Sequence, residues 1–280
     1  MGIIRLPIIS LNHKERTMNE QYENRFGGIK RLYGTTALEK FKDSHICVVG
    51  IGGVGSWVVE SLARSGIGKI TLIDMDDICV TNTNRQVHAL ADTVGKQKIE
   101  VMAERCKQIN PDIIVNCIDD FIDKDNCFEH LSKDMDYIFD AIDSIHAKVA
   151  LVAHCKRNKY PLLTCGGAGG QLDPTQIQVT DLAKTIQDPL AAKVRSELRR
   201  HFNFSKNPKR RFHVYCVFST EQLSYPDLNG EVCREKAESD GNMKMDCASG
   251  FGASTMVTAS FAFVGCAFML KKIAEKAKKP

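Results

Sequence analysis

The 280-residue chain has no Cys-x-x-Cys pair, although it carries 11 cysteines. A ribbon-type zinc site needs two such pairs, so this absence predicts no structural zinc. No secretory signal precedes the cysteines and their number is odd, so reduced thiols in a cytoplasmic protein are expected rather than a disulfide framework. The sequence also lacks internal repeats, low-complexity linkers and a sharp domain boundary. At 43% hydrophobic and 26% charged residues it shows no sign of disorder and can bury a sizeable core. Nor is there a strong charge imbalance: a net charge of +4 permits a nucleic-acid partner without requiring one.

Two segments bear on location. Residues 1–22 read as a flexible lead-in, whose apolar stretch is interrupted by Arg5 and Pro7, and Met18 is an alternative start. Residues 250–270 form an uncharged run of 21 ending at Lys271 and Lys272, long enough to cross a bilayer. Its Ser254, Thr255, Thr258 and Ser260 suit a helix buried inside an α/β domain, which is the favoured expectation; membrane association is the alternative.

Residues 43–74 carry the pattern strand, glycine turn, helix, strand. Ile46-Cys47-Val48-Val49 precedes the glycines, Val54, Val58 and Leu62 follow at helical spacing, and Lys69-Ile70-Thr71-Leu72-Ile73-Asp74 closes the βαβ unit. Strand-like runs at 113–117 and 137–142 alternate with helical stretches at 96–110 and 145–157, which predicts a mostly parallel sheet. The glycine cluster 166–170 marks a tight turn or a close approach to ligand. Beyond it, strands at 176–181 and 212–219 flank a basic helix at 189–202. The expected fold is α/β and Rossmann-like, with an elaborated C-terminal part. One domain spans 23–276, its nucleotide-binding part about 43–165 and its substrate-side part about 166–276.

Gly50, Gly52, Gly53 and Gly55 lie between a strand and a helix, where backbone N–H groups and the helix N-terminus can hold phosphate. Asp74, at the end of the next strand, is placed for a ribose hydroxyl. That scaffold fits NAD as well as ATP. A triphosphate calls for more cations, and Arg85, Lys98 and a later strand-end acid, Asp143, able to hold Mg²⁺, provide candidates.

Arg25-Phe26-Gly27-Gly28, the glycine loop, Leu72-Ile73-Asp74-Met75-Asp76, Asn82-Thr83-Asn84-Arg85-Gln86, Gly95-Lys96-Gln97-Lys98 and Phe139-Asp140-Ala141-Ile142-Asp143 occur in one order. In this the chain resembles the ubiquitin-activating-enzyme-like superfamily, which includes the adenylating enzymes of molybdopterin and thiamin biosynthesis. The resemblance implies Asp74, with Asp76 in the same motif, at the ribose, Asn82, Arg85 and Lys98 on the phosphates, and Asp143 on Mg²⁺. The later segments Gly166-Gly167-Ala168-Gly169-Gly170-Gln171-Leu172-Asp173-Pro174-Thr175, Lys184-Thr185-Ile186-Gln187-Asp188-Pro189-Leu190 and Met245-Asp246-Cys247-Ala248-Ser249-Gly250-Phe251-Gly252 are most similar to the tRNA threonylcarbamoyladenosine dehydratase branch.

That branch implies ATP-dependent cyclisation of N6-threonylcarbamoyladenosine beside the tRNA anticodon, through adenylation of its carboxylate. The alternative is activation of a small ubiquitin-like sulfur-carrier protein at the same ATP site. Relatives also imply a homodimer; a sulfur-relay partner and a monovalent cation stay open. Cys233, among Glu231, Arg234, Glu235 and Lys236, is a candidate acyl- or sulfur-accepting thiol, set against an inert role. Lys193, Arg195, Arg199, Arg200, Lys206, Lys209, Arg210 and Arg211, interleaved with Phe202, Phe204 and Phe212, form a candidate tRNA-contacting cluster, set against a solvated surface.

Overall fold

The computed structural model describes residues 13–227, 229–234 and 251–278, with side chains from residue 20 onward. The order of its main elements is α1 (His13–Tyr33), α2 (Thr35–Lys42), β1 (His45–Val49), α3 (Gly55–Arg64), β2 (Lys69–Ile73), α4 (Lys98–Ile109), β3 (Ile114–Ile118), α5 (Cys127–His130), β4 (Tyr137–Asp140), α6 (Ile145–Asn158), β5 (Leu162–Cys165), β6 (Ile177–Asp181), α7 (Pro189–His201), β7 (Tyr215–Ser219), β8 (Tyr225–Pro226), β9 (Val232–Cys233) and α8 (Thr255–Ala277). Seven strands form one sheet in the order β3-β2-β1-β4-β5-β7-β6, parallel throughout except for β6, which runs antiparallel on the edge beside β7. The expected Rossmann-like α/β fold is therefore present, and the antiparallel β6 belongs to its elaborated C-terminal part.

The side-chain alternation of β1 shows how the layers arise. Ile46 and Val48 join a core shared with α2, α3, α4 and α8, whereas Cys47 and Val49 face a second core shared with α5, α6 and α7. A strand buried on both faces is mostly apolar, as the run Ile-Cys-Val-Val is, and the buried His45 that opens β1 has both ring nitrogens hydrogen-bonded, to Asp134 and Thr71. From β1 the chain winds outward through β2 to β3, then returns to β4 on the other side of β1. The sheet thus reverses direction between β1 and β4, and ligands of such folds bind in the crevice at the carboxyl ends of the two strands that part there.

Helix α8 is apolar and long enough by composition to cross a membrane. In the fold its Val257, Phe261, Cys266, Met269 and Ile273 are buried, and the helix packs on α2 and α3. Gly265 permits its close approach to the sheet, since a Cβ there would lie 2.7 Å from the Phe139 ring of β4. The segment expected as a lead-in is partly ordered: α1 begins at His13, and the buried Tyr22 donates to the Gly66 carbonyl at 2.5 Å. The reason is apolar contact that local sequence does not display, with Tyr22 and Phe26 covering the turn after α3. Residues 1–12 and residues 245–250 of the third family-like segment lie outside the described residues, as do Glu235 and Lys236.

Candidate active site

The glycine loop leaves the carboxyl end of β1 at the crevice, and its glycines have different reasons to be there. Gly50 adopts φ +84°, and a Cβ on it would stand 3.0 Å from the Ala141 backbone at the end of β4. At Gly55 a Cβ would fall 1.8 Å from the Gly50 carbonyl oxygen, so the first turn of α3 closes only with glycine. Gly53 lies under the Arg85 side chain, whose Cγ is 3.4 Å from a Cβ placed there. Gly52 is different. Its nearest neighbour would be the Gln86 amide nitrogen at 3.9 Å, so no protein atom requires glycine at that position. A loop that leaves open space above a bare backbone, ahead of a helix N-terminus, has room for a phosphate group.

Charged groups converge on this loop. Asp74 accepts from the Ile51 N–H at 2.6 Å through one carboxylate oxygen and from the Asp76 N–H at 2.9 Å through the other. Burial, the largest influence, raises its pKa above the ordinary carboxylate value despite the opposing Lys98. Lys98, whose side chain is only 7% exposed, places its Nζ 2.6 Å from Asp76 and 3.8 Å from Asp74. Arg85 donates to the Thr81 carbonyl at 2.8 Å and to Asn84 at 3.0 Å, and its backbone carbonyl accepts from the Trp57 indole at 3.1 Å. Asp143 is exposed, three residues beyond the end of β4 and two beyond the Ala141 that touches Gly50. The loop, Asp74, Asp76, Arg85 and Lys98 are therefore assembled in one place, with Asp143 on the adjoining strand end.

Asn82 also has a structural task. It is buried, and its carboxamide oxygen accepts from the Cys79 N–H at 3.0 Å, capping the short 3-10 turn that carries the chain toward Arg85. That bond shapes the backbone, since the turn's first N–H has no intrahelical partner, and it does not use the carboxamide N–H groups, which are the donors a phosphate would accept from. Three buried groups escaped the sequence reading. Asp140, fully buried at the end of β4, accepts from Lys148 at 2.9 Å, from the Thr164 hydroxyl at 2.6 Å and from the Ile142 N–H at 3.1 Å. The last of these bonds fixes the turn leading to Asp143. Lys148 stands on an apolar stretch of α6, which was the available signal of a buried charge. Asp188, capping α7, was quoted only as part of a motif.

A model of the ThiF family matches residues 26–276. The chain belongs to the ThiF family. Within it, the chain is 61% identical over 262 residues to the tRNA threonylcarbamoyladenosine dehydratase of Escherichia coli (strain K12), covering 94% of this chain and 98% of that protein. It is 57% identical over 257 residues to the enzyme of the same name from Haemophilus influenzae, covering 92% and 96%. A crystal structure of the Escherichia coli dehydratase in complex with ATP superposes with a TM-score of 0.82 at 58% identity, over 92% of this chain and 97% of that one.

The basic cluster of this ThiF-family chain divides once its side chains are seen. Lys193, Arg200, Lys206, Lys209, Arg210 and Arg211 are exposed, while Arg195 and Arg199 are half-buried. Arg200 pairs with Glu197 at 3.3 Å, and Arg199 lies over the Phe212 ring at 5.3 Å. Phe204 and Phe212 form an edge-on pair at 4.9 Å, with Phe212 buried, so only Phe202 remains exposed as a stacking surface. Cys233 is half-buried on the β8–β9 ribbon opposite Tyr225.

His88, three residues past Arg85, is 1% exposed and neither ring nitrogen has a hydrogen-bond partner among the described residues. Burial, with Lys98 and Arg105 nearby, lowers its pKa from 6.5 to about 4. A histidine held neutral in the fold but free to protonate when unfolded contributes stability in full above pH 6.5, and that contribution is lost as pH falls toward 4. The loss amounts to about 3 kcal/mol. Urea melts from pH 7 to pH 4 should show the His88→Leu variant losing less stability than the wild type by about that amount. Equal slopes would contradict the neutral, buried His88.

Proposed function

We propose that this protein is an ATP-dependent tRNA threonylcarbamoyladenosine dehydratase. Its identity of 61% to the Escherichia coli enzyme over 94% of the chain carries the reading, and the assembled glycine loop, Asp74, Arg85 and Lys98 supply the chemistry it requires. ATP sits with its phosphates over Gly52 and its ribose toward Asp74, whose oxygens keep lone pairs beyond the two backbone bonds. Lys98, drawn in by Asp74 and Asp76, and Arg85 face the charge that grows on the departing pyrophosphate.

The substrate carboxylate attacks the α-phosphorus, the bond to pyrophosphate breaks, and an acyl-adenylate forms. A carbamoyl atom of the same nucleoside then attacks the activated carbonyl carbon, loses its proton, and expels AMP as the ring closes. The second step is intramolecular, so orientation supplies much of its rate and no enzyme nucleophile is needed. Asp143 fits Mg²⁺: it is an exposed carboxylate beside a phosphate cradle, and that ion favours one or two carboxylates plus substrate phosphates. The ion would supply charge neutralisation on the phosphates.

With modified tRNA present, ATP should be cleaved to AMP and pyrophosphate, not to ADP. Asp143→Asn should lower kcat by about 10²-fold while leaving the melting temperature within about 2 °C, since its side chain is exposed. Formation of ADP, or an Asp143→Asn variant with full turnover, would count against this assignment.

We also propose that Lys209, Arg210 and Arg211, exposed on the loop after α7, meet tRNA phosphates. Their joint replacement by Gln should weaken tRNA binding and reduce the slope of log K against log salt by about 2–3. An unchanged slope would remove them from the interface.

A further inference from the structure

A cavity of about 390 Å³ lies beside the N-terminus of α7, lined among others by Gln187, Asp188, Arg195, Gln222, Tyr225 and Arg234. Its position follows from the sheet. Asp188 accepts from the Gly167 N–H at 3.1 Å, in the loop that leaves β5, and Gln222 follows β7, the neighbour of β5. β5 in turn lies beside β4, whose end leads to Asp143. The cavity is thus the next recess along the carboxyl-terminal edge of the sheet from the nucleotide crevice.

Its walls are built, not incidental. Asp188 is buried and spends one oxygen on Gly167 and the other on the Ala191 N–H at 2.8 Å. A Cβ at Gly166 would lie 1.6 Å from that carboxylate, so the glycine cluster and the α7 cap are fitted to each other. Gln187, immediately before the cap, takes φ 55°, a left-handed conformation uncommon for a residue with a side chain and characteristic of sites where the surroundings fix the backbone. Since the oxygens of Asp188 are committed to backbone N–H groups, the groups left to meet a ligand are two guanidiniums, two carboxamides and a phenol. Arg195 donates to the Thr185 hydroxyl, and among the described residues neither it nor Arg234 forms an ion pair.

Such a wall suits a planar, amide-like ligand that carries a carboxylate. The volume falls within the roughly 300–1,000 Å³ of small-molecule sites, and RNA-modifying proteins read single-stranded bases that have left the stack. We infer that this cavity receives the unstacked, carboxylate-bearing modified adenosine, with Arg195 and Arg234 meeting the carboxylate, Gln187 and Gln222 the polar edges, and Tyr225 the base face. The inference rests on the function proposed above and assigns its substrate pocket.

Titration with the free nucleoside threonylcarbamoyladenosine, followed by saturation-transfer NMR with adenosine as control, reads the pocket without turnover. The wild type should bind the modified nucleoside in preference to adenosine, and Gln222→Ala and Tyr225→Ala should each weaken it at least tenfold while ATP affinity stays within twofold. The conservative Tyr225→Phe should retain most of the binding. No preference by the wild type, or variants that bind the nucleoside like the wild type, would overturn the inference. Failure of the functional reading is separate and shows instead as absence of water loss from modified tRNA incubated with the wild type.

Discussion

Gly52→Ala is expected to fold as well as the wild type and to lose ATP binding by at least about 10²-fold, or about 2.7 kcal/mol. The reason is the space above residue 52, where a Cβ would meet nothing nearer than the Gln86 amide nitrogen at 3.9 Å. Gly52 has no positive φ, so alanine adopts its backbone without strain and gains about 0.4–1 kcal/mol of stability by restricting the unfolded chain. The methyl group instead occupies the space reserved for phosphate. Gly55→Ala is the contrast, because its Cβ would sit 1.8 Å from the Gly50 carbonyl oxygen and the turn into α3 cannot close. Thermal melts with and without ATP separate the two: Gly52→Ala should melt normally and show no ATP-induced shift, while Gly55→Ala should be recovered poorly or unfolded. A Gly52→Ala protein stabilised by ATP like the wild type would show that the phosphates lie elsewhere.

Lys148→Met is expected to cost about 3–5 kcal/mol, the usual penalty for leaving half of a buried ion pair behind. Its partner Asp140 is fully buried, with the two groups 2.9 Å apart and Thr164 bonded to both. Burial by itself would lower the lysine pKa, but the neighbouring Asp140 raises it overall, which holds the lysine charged. Removing the charge strands a carboxylate that also holds the Ile142 N–H, and the turn toward Asp143 loosens with it. Replacing both partners, as Lys148→Met with Asp140→Leu, should recover much of the stability but not the geometry of the Asp143 turn. Urea unfolding measures the first effect and the Mg²⁺ dependence of ATP binding the second. A Lys148→Met variant within 1 kcal/mol of wild type, by the roughly 1 kcal/mol typical of point substitutions, would contradict this.

The parts of the fold that were legible in the sequence are those written in short-range pattern. The βαβ unit around Gly50 to Gly55 announces itself because strand, glycine turn and amphipathic helix are contiguous, and the observed β1, α3 and β2 fall inside residues 43–74. Helix α8 could be read as buried, since hydroxyl and small residues within an uncharged run suit close packing, and Gly265 against Phe139 is such a contact. What was not legible depends on partners far apart in the chain. Lys148 meets residues from β4 and β5, Lys98 is held by a carboxylate 22 residues before it, and Tyr22 reaches Gly66 across 44. The bond by which the Asn82 oxygen accepts from the Cys79 N–H and shapes the turn toward Arg85 is another contact that sequence pattern does not display. Phe212, which the sequence places among the basic residues, is core and holds Phe204 and Arg199 against itself.

The central proposal is that Gly52, Asp74, Arg85 and Lys98 form an ATP site that activates a carboxylate borne by tRNA. The most direct measurement is to incubate the protein with ATP, Mg²⁺ and tRNA carrying threonylcarbamoyladenosine, then weigh the released nucleosides. The expected result is loss of one water from that nucleoside, with one AMP and one pyrophosphate formed per event. An unchanged nucleoside mass while ATP is consumed would contradict it.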